Sequence, residues 1–298
     1  MATLQATEPI PVERENQLAL LAALVTVVLW ASAFVGIRSA GQVFSPGALA
    51  LGRLLTATLA LGALALVRRE PLPSRRALPG IAICGLFWFG LYNIVLNEAE
   101  RRVDAGTAAM LVNIGPILIA VLAGLLLHEG FPRGLLLGCV VAFSGVVVIG
   151  AATSQQGIVA GWGAVLCIIA ALLYAVGVIA QKPLLAYTSP LQVTVFACAT
   201  GALTCLPFAP TLARELPHAR ASAIGWMVYL GIAPMAVGFM TWAYALKRTT
   251  AGRMGSTTYL VPPIAVLLGW ALLGGTPPAL AFAGGALCLV GVAVARRA

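Results

Sequence analysis

The chain has 298 residues, 61% of them apolar and 9% charged, with a net charge of +9. A water-soluble domain carries roughly 25% charged residues, so the composition excludes a soluble globule. The positive charge is scattered over short connections, which argues against a nucleic-acid-binding face, and the lipid bilayer is the first partner to expect.

The first stretch, residues 1–17, is polar, of mixed charge and proline-containing. It lacks a basic n-region and a cleavage site before the first apolar run, so it is expected to be a short cytoplasmic tail and not a cleaved leader. Ten apolar runs follow, near 18–37, 46–67, 77–97, 104–127, 134–152, 159–181, 190–211, 222–246, 254–273 and 278–295. Each approaches the ~20 residues a helix needs to cross the hydrocarbon core. They are continuously apolar and do not alternate, which favours helices over a β-barrel. The six cysteines fall inside these runs without metal-ligand spacing and are expected to be free apolar thiols.

Ten crossings put both termini on one side. Twelve basic residues then lie on the terminal side: Arg14, Arg68, Arg69, Arg75, Arg76, Arg133, Lys182, Lys247, Arg248, Arg253, Arg296 and Arg297. Five lie on the other: Arg38, Arg101, Arg102, Arg214 and Arg220. The positive-inside rule therefore predicts cytoplasmic termini in a plasma (bacterial inner) membrane.

The chain repeats internally. Asp104–Ile149 aligns without a gap on Thr250–Ala295, with 11 identities over 46 pairs. The informative matches are Ala105-Gly106 with Ala251-Gly252, Pro116 with Pro262, Pro132 with Pro278, and Gly138 and Gly145 with Gly284 and Gly291. In the first helix of each half, Trp30 and Arg38 match Tyr174 and Lys182, an aromatic about 12 Å before a basic group along a helix. Five spans per half is an odd number, so the second half, 153–298, must insert upside down relative to the first, 18–152. A repeated bundle of this kind is the sequence footprint of an alternating-access transporter.

Several of these residues resemble a known family. Trp30-Ala-Ser-Ala-Phe34 resembles the opening of the drug/metabolite transporter superfamily, and Gly52-Arg53-Leu-Leu its arginine-led second helix. Ala105-Gly106 through Pro116 to Leu127-His128-Glu129 resembles the fourth helix of the EamA module; the second copy departs, with Gly274-Gly275 in place of His128-Glu129. Within the superfamily the chain is most similar to YddG-type exporters of aromatic and other amino acids. The resemblance implies an all-α integral membrane protein: ten transmembrane helices as two inverted five-helix EamA-like repeats around a central cavity.

An amino-acid substrate needs a ring-lined or apolar pocket and polar partners for its ammonium and carboxylate. Trp30, Trp88, Tyr92, Asn93, Asn113, Tyr174, Trp242 and Tyr259 are the expected lining, Asn113 and Tyr259 each standing three residues before a mid-span proline. Those prolines, Pro116 and Pro262, remove a helical hydrogen bond and are candidate hinges, static kinks being the alternative. Arg53 is the one fixed charge well inside a span; it is either a carboxylate clamp or a structural lock to backbone carbonyls or Glu98. The paired glycines fit close helix packing inside one molecule or a homodimer seam, and a monomer is as compatible with the pattern as a dimer.

Export of amino acids and related small amphipathic metabolites is the expected function. Proton-coupled export of lipophilic cations is the alternative, weakened because no Asp or Glu falls mid-span; Glu98, Asp104 and Glu129 sit at ends. A membrane scaffold or receptor is the non-transporting alternative. An enzyme is not expected: only His128 and His218 exist, both in connections, and no catalytic residue, metal site or cofactor is anticipated.

Overall fold

The structure is a computed structural model; it describes residues 12–103, 108, 111–153, 161–273 and 278–297. Residues 1–11 of the tail, Asp104–Gly106 and Gly274-Gly275 lie outside the described residues.

Every regular element among the described residues is helical. The elements are α1 (Val12–Ala40), α2 (Pro46–Val67), α3 (Leu78–Cys84), a π-helical segment Gly85–Leu91, α4 (Tyr92–Glu100), α5 (Gly115–Leu126), α6 (Arg133–Thr153), α7 (Trp162–Leu184) and α8 (Pro190–Thr204). They continue with α9 (Ala209–Glu215), α10 (Ala221–Leu230), a second π segment Gly231–Val237, α11 (Gly238–Arg248), α12 (Ala251–Thr257), a 3₁₀ turn Thr258–Leu260, α13 (Val261–Leu273) and α14 (Ala279–Arg297). Seven helices among the described residues are long and apolar enough to cross a membrane, or eight if a pair bent by 53° at Cys205 is one span. The expected seventh span, 190–211, is that bent pair: Pro207 cannot continue the ladder, so α8 stops at Thr204. Gly115–Leu126 is a shorter apolar helix, and the expected ninth span, 254–273, is divided by the 3₁₀ turn just before Pro262-Pro263.

Each π segment joins two helices into one run, Leu78–Glu100 and Ala221–Arg248. The segments begin at Gly85 and Gly231, 146 positions apart, the offset of the sequence repeat. A π turn widens the helix by one residue and leaves carbonyls for side chains to use. Asn93 Nδ2 donates to Phe89 O at 2.8 Å and Trp88 O at 3.4 Å. Trp30 Nε1 donates to Pro234 O at 3.2 Å.

Helices α6 and α14 pack antiparallel through the repeat's glycines. A Cβ on Gly138 would stand 2.5 Å from Gly291 O, and one on Gly145 2.5 Å from Gly284 O. Cys288 Sγ reaches Ala142 O, also 146 positions away, at 3.4 Å. The glycine faces expected to serve either inner packing or a dimer seam are thus consumed within one chain, because absent side chains let backbones approach where lipid gives helices no hydrophobic reason to associate.

The end of the bundle holding the termini is cross-linked. Helix α5 ends with His128 in the left-handed region (φ 57°) and Glu129 N donating back to Ala123 O at 3.2 Å. That reversal aims the Glu129 carboxylate at the start of α12, where it accepts from Ala251 N at 2.8 Å and Gly252 N at 3.2 Å. Lys182 Nζ donates to Leu246 O at 2.8 Å and Thr249 O at 2.6 Å on the same side. Glu70, following the left-handed Arg69, repeats the device by accepting from the Ser189 hydroxyl that caps α8.

Candidate functional site

A cavity of about 100 Å³ lies at the centre of the bundle. Trp30, Phe34 and Ile37 on α1, Trp88 on the π segment, Tyr174 on α7 and Phe239 on α11 supply its apolar walls. Arg53, Asn93, Asn113 and Thr258 supply polar groups, and Pro116 and Pro234 bring irregular backbone to the edge. Of the expected residues, Trp30, Arg53, Trp88, Tyr92, Asn93, Asn113, Pro116 and Tyr174 meet at this one cavity.

Two residues of the expected lining do not border this cavity: Trp242 and Tyr259 are fully buried behind its wall. The candidate hinge Pro262 lies off the cavity as well. Trp242 stacks on Trp30 with ring centroids 5.0 Å apart, and its Nε1 donates to Gln181 Oε1 at 3.1 Å. It supports the wall from the terminal side. Tyr259 belongs to the packing layer between α1, α6 and α14; its neighbour Thr258 reaches the cavity instead.

The rings hold one another. Trp88 lies 4.8 Å from Phe239, 5.2 Å from Tyr174 and 6.1 Å from Trp30, mostly edge-to-face or tilted. Such pairs add about 0.5–1.5 kcal/mol each beyond area burial, so the walls resist spreading. Gly177 makes the arrangement feasible: a Cβ there would sit 2.3 Å from Trp88 Cβ.

Arg53 is 5% exposed. Its Nε and Nη1 have no hydrogen-bond partner among the described residues. The expected lock to Glu98 is not formed: Glu98 pairs with Arg102 at 2.6 Å. The carboxylate acting electrostatically on Arg53 is Glu100, which sequence reading passed over. Glu100 lines a second cavity with Arg38, Gln42, Asn97 and Arg101, and Ile37 borders both cavities. The signal was present, since Trp88, Tyr92, Leu96 and Glu100 are spaced by four on one run. The second cavity lies by the C-terminal ends of α1 and α4, at the end opposite the termini. No group of three or more His, Cys, Asp or Glu suited to a metal occurs among the described residues.

Comparison with known proteins decides the class. The model of the EamA-like transporter family matches twice, over residues 17–151 and 161–297. The chain belongs to the EamA-like transporter family. It is 37% identical over 279 residues to a "Probable terminal-alkyne amino-acid exporter" of Streptantibioticus cattleyicolor, covering 94% of this chain and 93% of that protein. It is 31% identical to the "Uncharacterized transporter YdfC" of Bacillus subtilis, covering 89% and 86%. An "Uncharacterized inner membrane transporter YedA" of Escherichia coli K12 is 26% identical, covering 84% and 81%. A solved crystal structure at 23% identity superposes with a TM-score of 0.75 over 94% of this chain and 98% of its own, and so shares the fold. This EamA protein is therefore a multi-pass membrane transporter and not an enzyme.

Proposed function

We propose that this EamA transporter exports α-amino acids with apolar side chains across the plasma membrane by alternating access. The observation that carries the reading is the central cavity, where one buried guanidinium and two asparagines interrupt a wall of rings. Ring walls suit an apolar side chain, and the polar groups suit the charged ends of an amino acid. The amino-acid exporter of Streptantibioticus cattleyicolor supports the same substrate class.

The mechanism rests on ten helices in two inverted halves, 18–152 and 153–298. The antiparallel seam between Gly138/Gly145 and Gly284/Gly291 supports inversion, because repeat-equivalent helices related by an axis along the membrane normal would run parallel. The π segments 146 positions apart support it as well. With the termini in the cytoplasm, the described conformation is closed inward by Trp242, Lys182 and Glu129, and its cavities lead outward past Glu100. Pro116 and Pro262 are the proposed hinges for the opposite opening. The test is a flux panel of amino acids in protein-only liposomes, with and without a pH gradient. Saturable uptake of apolar amino acids is expected; flux no greater than in empty liposomes refutes the proposal.

Proton-coupled export of lipophilic cations is the second reading. It is favoured by one observation, the Glu100 carboxylate with its Oε1 buried and without a partner among the described residues. Faster flux of an organic cation than of any amino acid in the same panel would select it.

A further inference from the structure

The amino-acid reading leaves open which end of the substrate the protein recognises and which side chains it admits. Two observations narrow both. The first is the state of Arg53. A guanidinium inside a helix span costs about 2.5–3.5 kcal/mol on insertion scales, and a buried charge is ordinarily paired. Here Nε and Nη1 lack partners, and no carboxylate among the described residues forms an ion pair with the group. Arg53 borders the cavity with donors unspent, and a guanidinium in that state is the complement of a carboxylate, which accepts charge-assisted N–H bonds from it.

Beside it, Asn93 has committed its amide nitrogen to Phe89 O and Trp88 O. What Asn93 can offer a ligand is its Oδ1, an acceptor that suits an ammonium and not a carboxylate. The cavity thus presents a donor fork and an acceptor, the polarity of a zwitterion.

The second observation is room. The cavity offers about 100 Å³, and the charged ends of an amino acid take up the part of it that Arg53 and Asn93 line. Its walls are rings packed on rings, Trp30 on Trp242 at 5.0 Å and Trp88 on Phe239 at 4.8 Å, so enlargement must break contacts on both faces. A straight aliphatic chain can lie along such walls; an indole cannot enter without displacing one.

We infer that Arg53 binds the substrate carboxylate, and that the ring cluster beside it restricts the side chain to a slender aliphatic one, excluding aromatic amino acids. This rests on the amino-acid reading above and gives the same cavity its selectivity.

The experiment compares four solutes in liposomes holding the purified full chain: L-norvaline, L-norvalinamide, n-butylamine and L-tryptophan. With flux taken above that of empty liposomes, norvaline is expected to move, with norvalinamide and butylamine slower by at least about tenfold, the scale of losing charge-assisted hydrogen bonds, and tryptophan as slow because its indole does not fit between the packed rings. This arm needs no variant, so a folding defect cannot confuse it. Arg53→Gln, checked for monodispersity by size exclusion, should lose norvaline flux by a similar factor, and Arg53→Lys should keep part of it with a raised KM. Norvalinamide moving as fast as norvaline, or folded Arg53→Gln keeping wild-type flux, overturns the carboxylate assignment. Tryptophan moving as fast as norvaline overturns the size restriction. A wild-type chain that moves no amino acid sinks the amino-acid reading and this assignment with it; movement of acid and amide alike sinks the assignment alone.

Discussion

Glu129→Ala is the perturbation that most directly tests the proposal that the terminal end of the bundle is held shut in this conformation. The carboxylate bridges α5 to α12 by accepting from Ala251 N at 2.8 Å and Gly252 N at 3.2 Å. Charge-assisted hydrogen bonds contribute about 1.5–3 kcal/mol each. The site is only partly buried, so water replaces some of that loss and about 2 kcal/mol is a fair net figure for the pair. If the bridge exists only in the closed arrangement, its loss shifts the closed-to-open ratio about 30-fold, since each 1.4 kcal/mol is tenfold. The assay is electron–electron distance measurement between spin labels at Arg133 and Ala186, both exposed at that end, with the native cysteines replaced. A longer-distance population should appear in Glu129→Ala. Glu129→Gln, which keeps one acceptor and loses the charge, should fall between. Unchanged distances in both variants would refute the idea that this carboxylate biases the closed form.

Three further outcomes follow from the packing. Gly177→Ala would place a Cβ 2.3 Å from Trp88 Cβ; overpacking of this kind costs about 1–3 kcal/mol, and the variant should melt lower in detergent while Gly62→Ala, whose Cβ meets nothing within 4 Å, should not. Trp242→Phe breaks the bond to Gln181, whose Nε2 is already without a partner among the described residues. A double-mutant cycle with Gln181→Leu should show a coupling of about 0.6–1.7 kcal/mol, the range for hydrogen bonds within membranes, and strict additivity would count against the pair. Gly145→Leu should abolish monodisperse protein, because the residue stands against Gly284 O and Cys288 N; recovery of wild-type thermal stability would show the seam to be looser than described.

Much of the architecture was legible because the bilayer leaves few choices. An apolar run near 20 residues can only be a helix there, which is why α1, α2, α6, α7 and α14 lie close to their expected limits. Pro207 and Pro262-Pro263 were visible in the sequence as well, but hydropathy averages over a proline, so the bend after α8 and the 3₁₀ turn before α13 were read through. The π segments carry no composition of their own; they become visible only when Asn93 and Trp30 are seen using the carbonyls they release.

The site was legible in its residue types and less so in its layers. A tryptophan on the inner face of a helix has the same spacing whether it touches substrate or the ring behind it, so Trp30 and Trp242 could not be ranked until their 5.0 Å stacking placed one before the other. Glu129 was legible as the end of a family-like fourth helix, as a carboxylate at a span end and as a difference from Gly275 in the second copy, but not as a bridge. What it does depends on His128 turning the chain back and on α12 starting opposite, neither of which is a local property. The residues the two copies share, Gly138 and Gly145 with Gly284 and Gly291, are those that bring helices into contact. A carboxylate that joins α5 to α12, at a position where the other copy has a glycine without a side chain, makes the two ends chemically unequal. A transporter whose ends close with unequal strength favours one facing before any solute binds, and a solute then has to supply only the difference between the two.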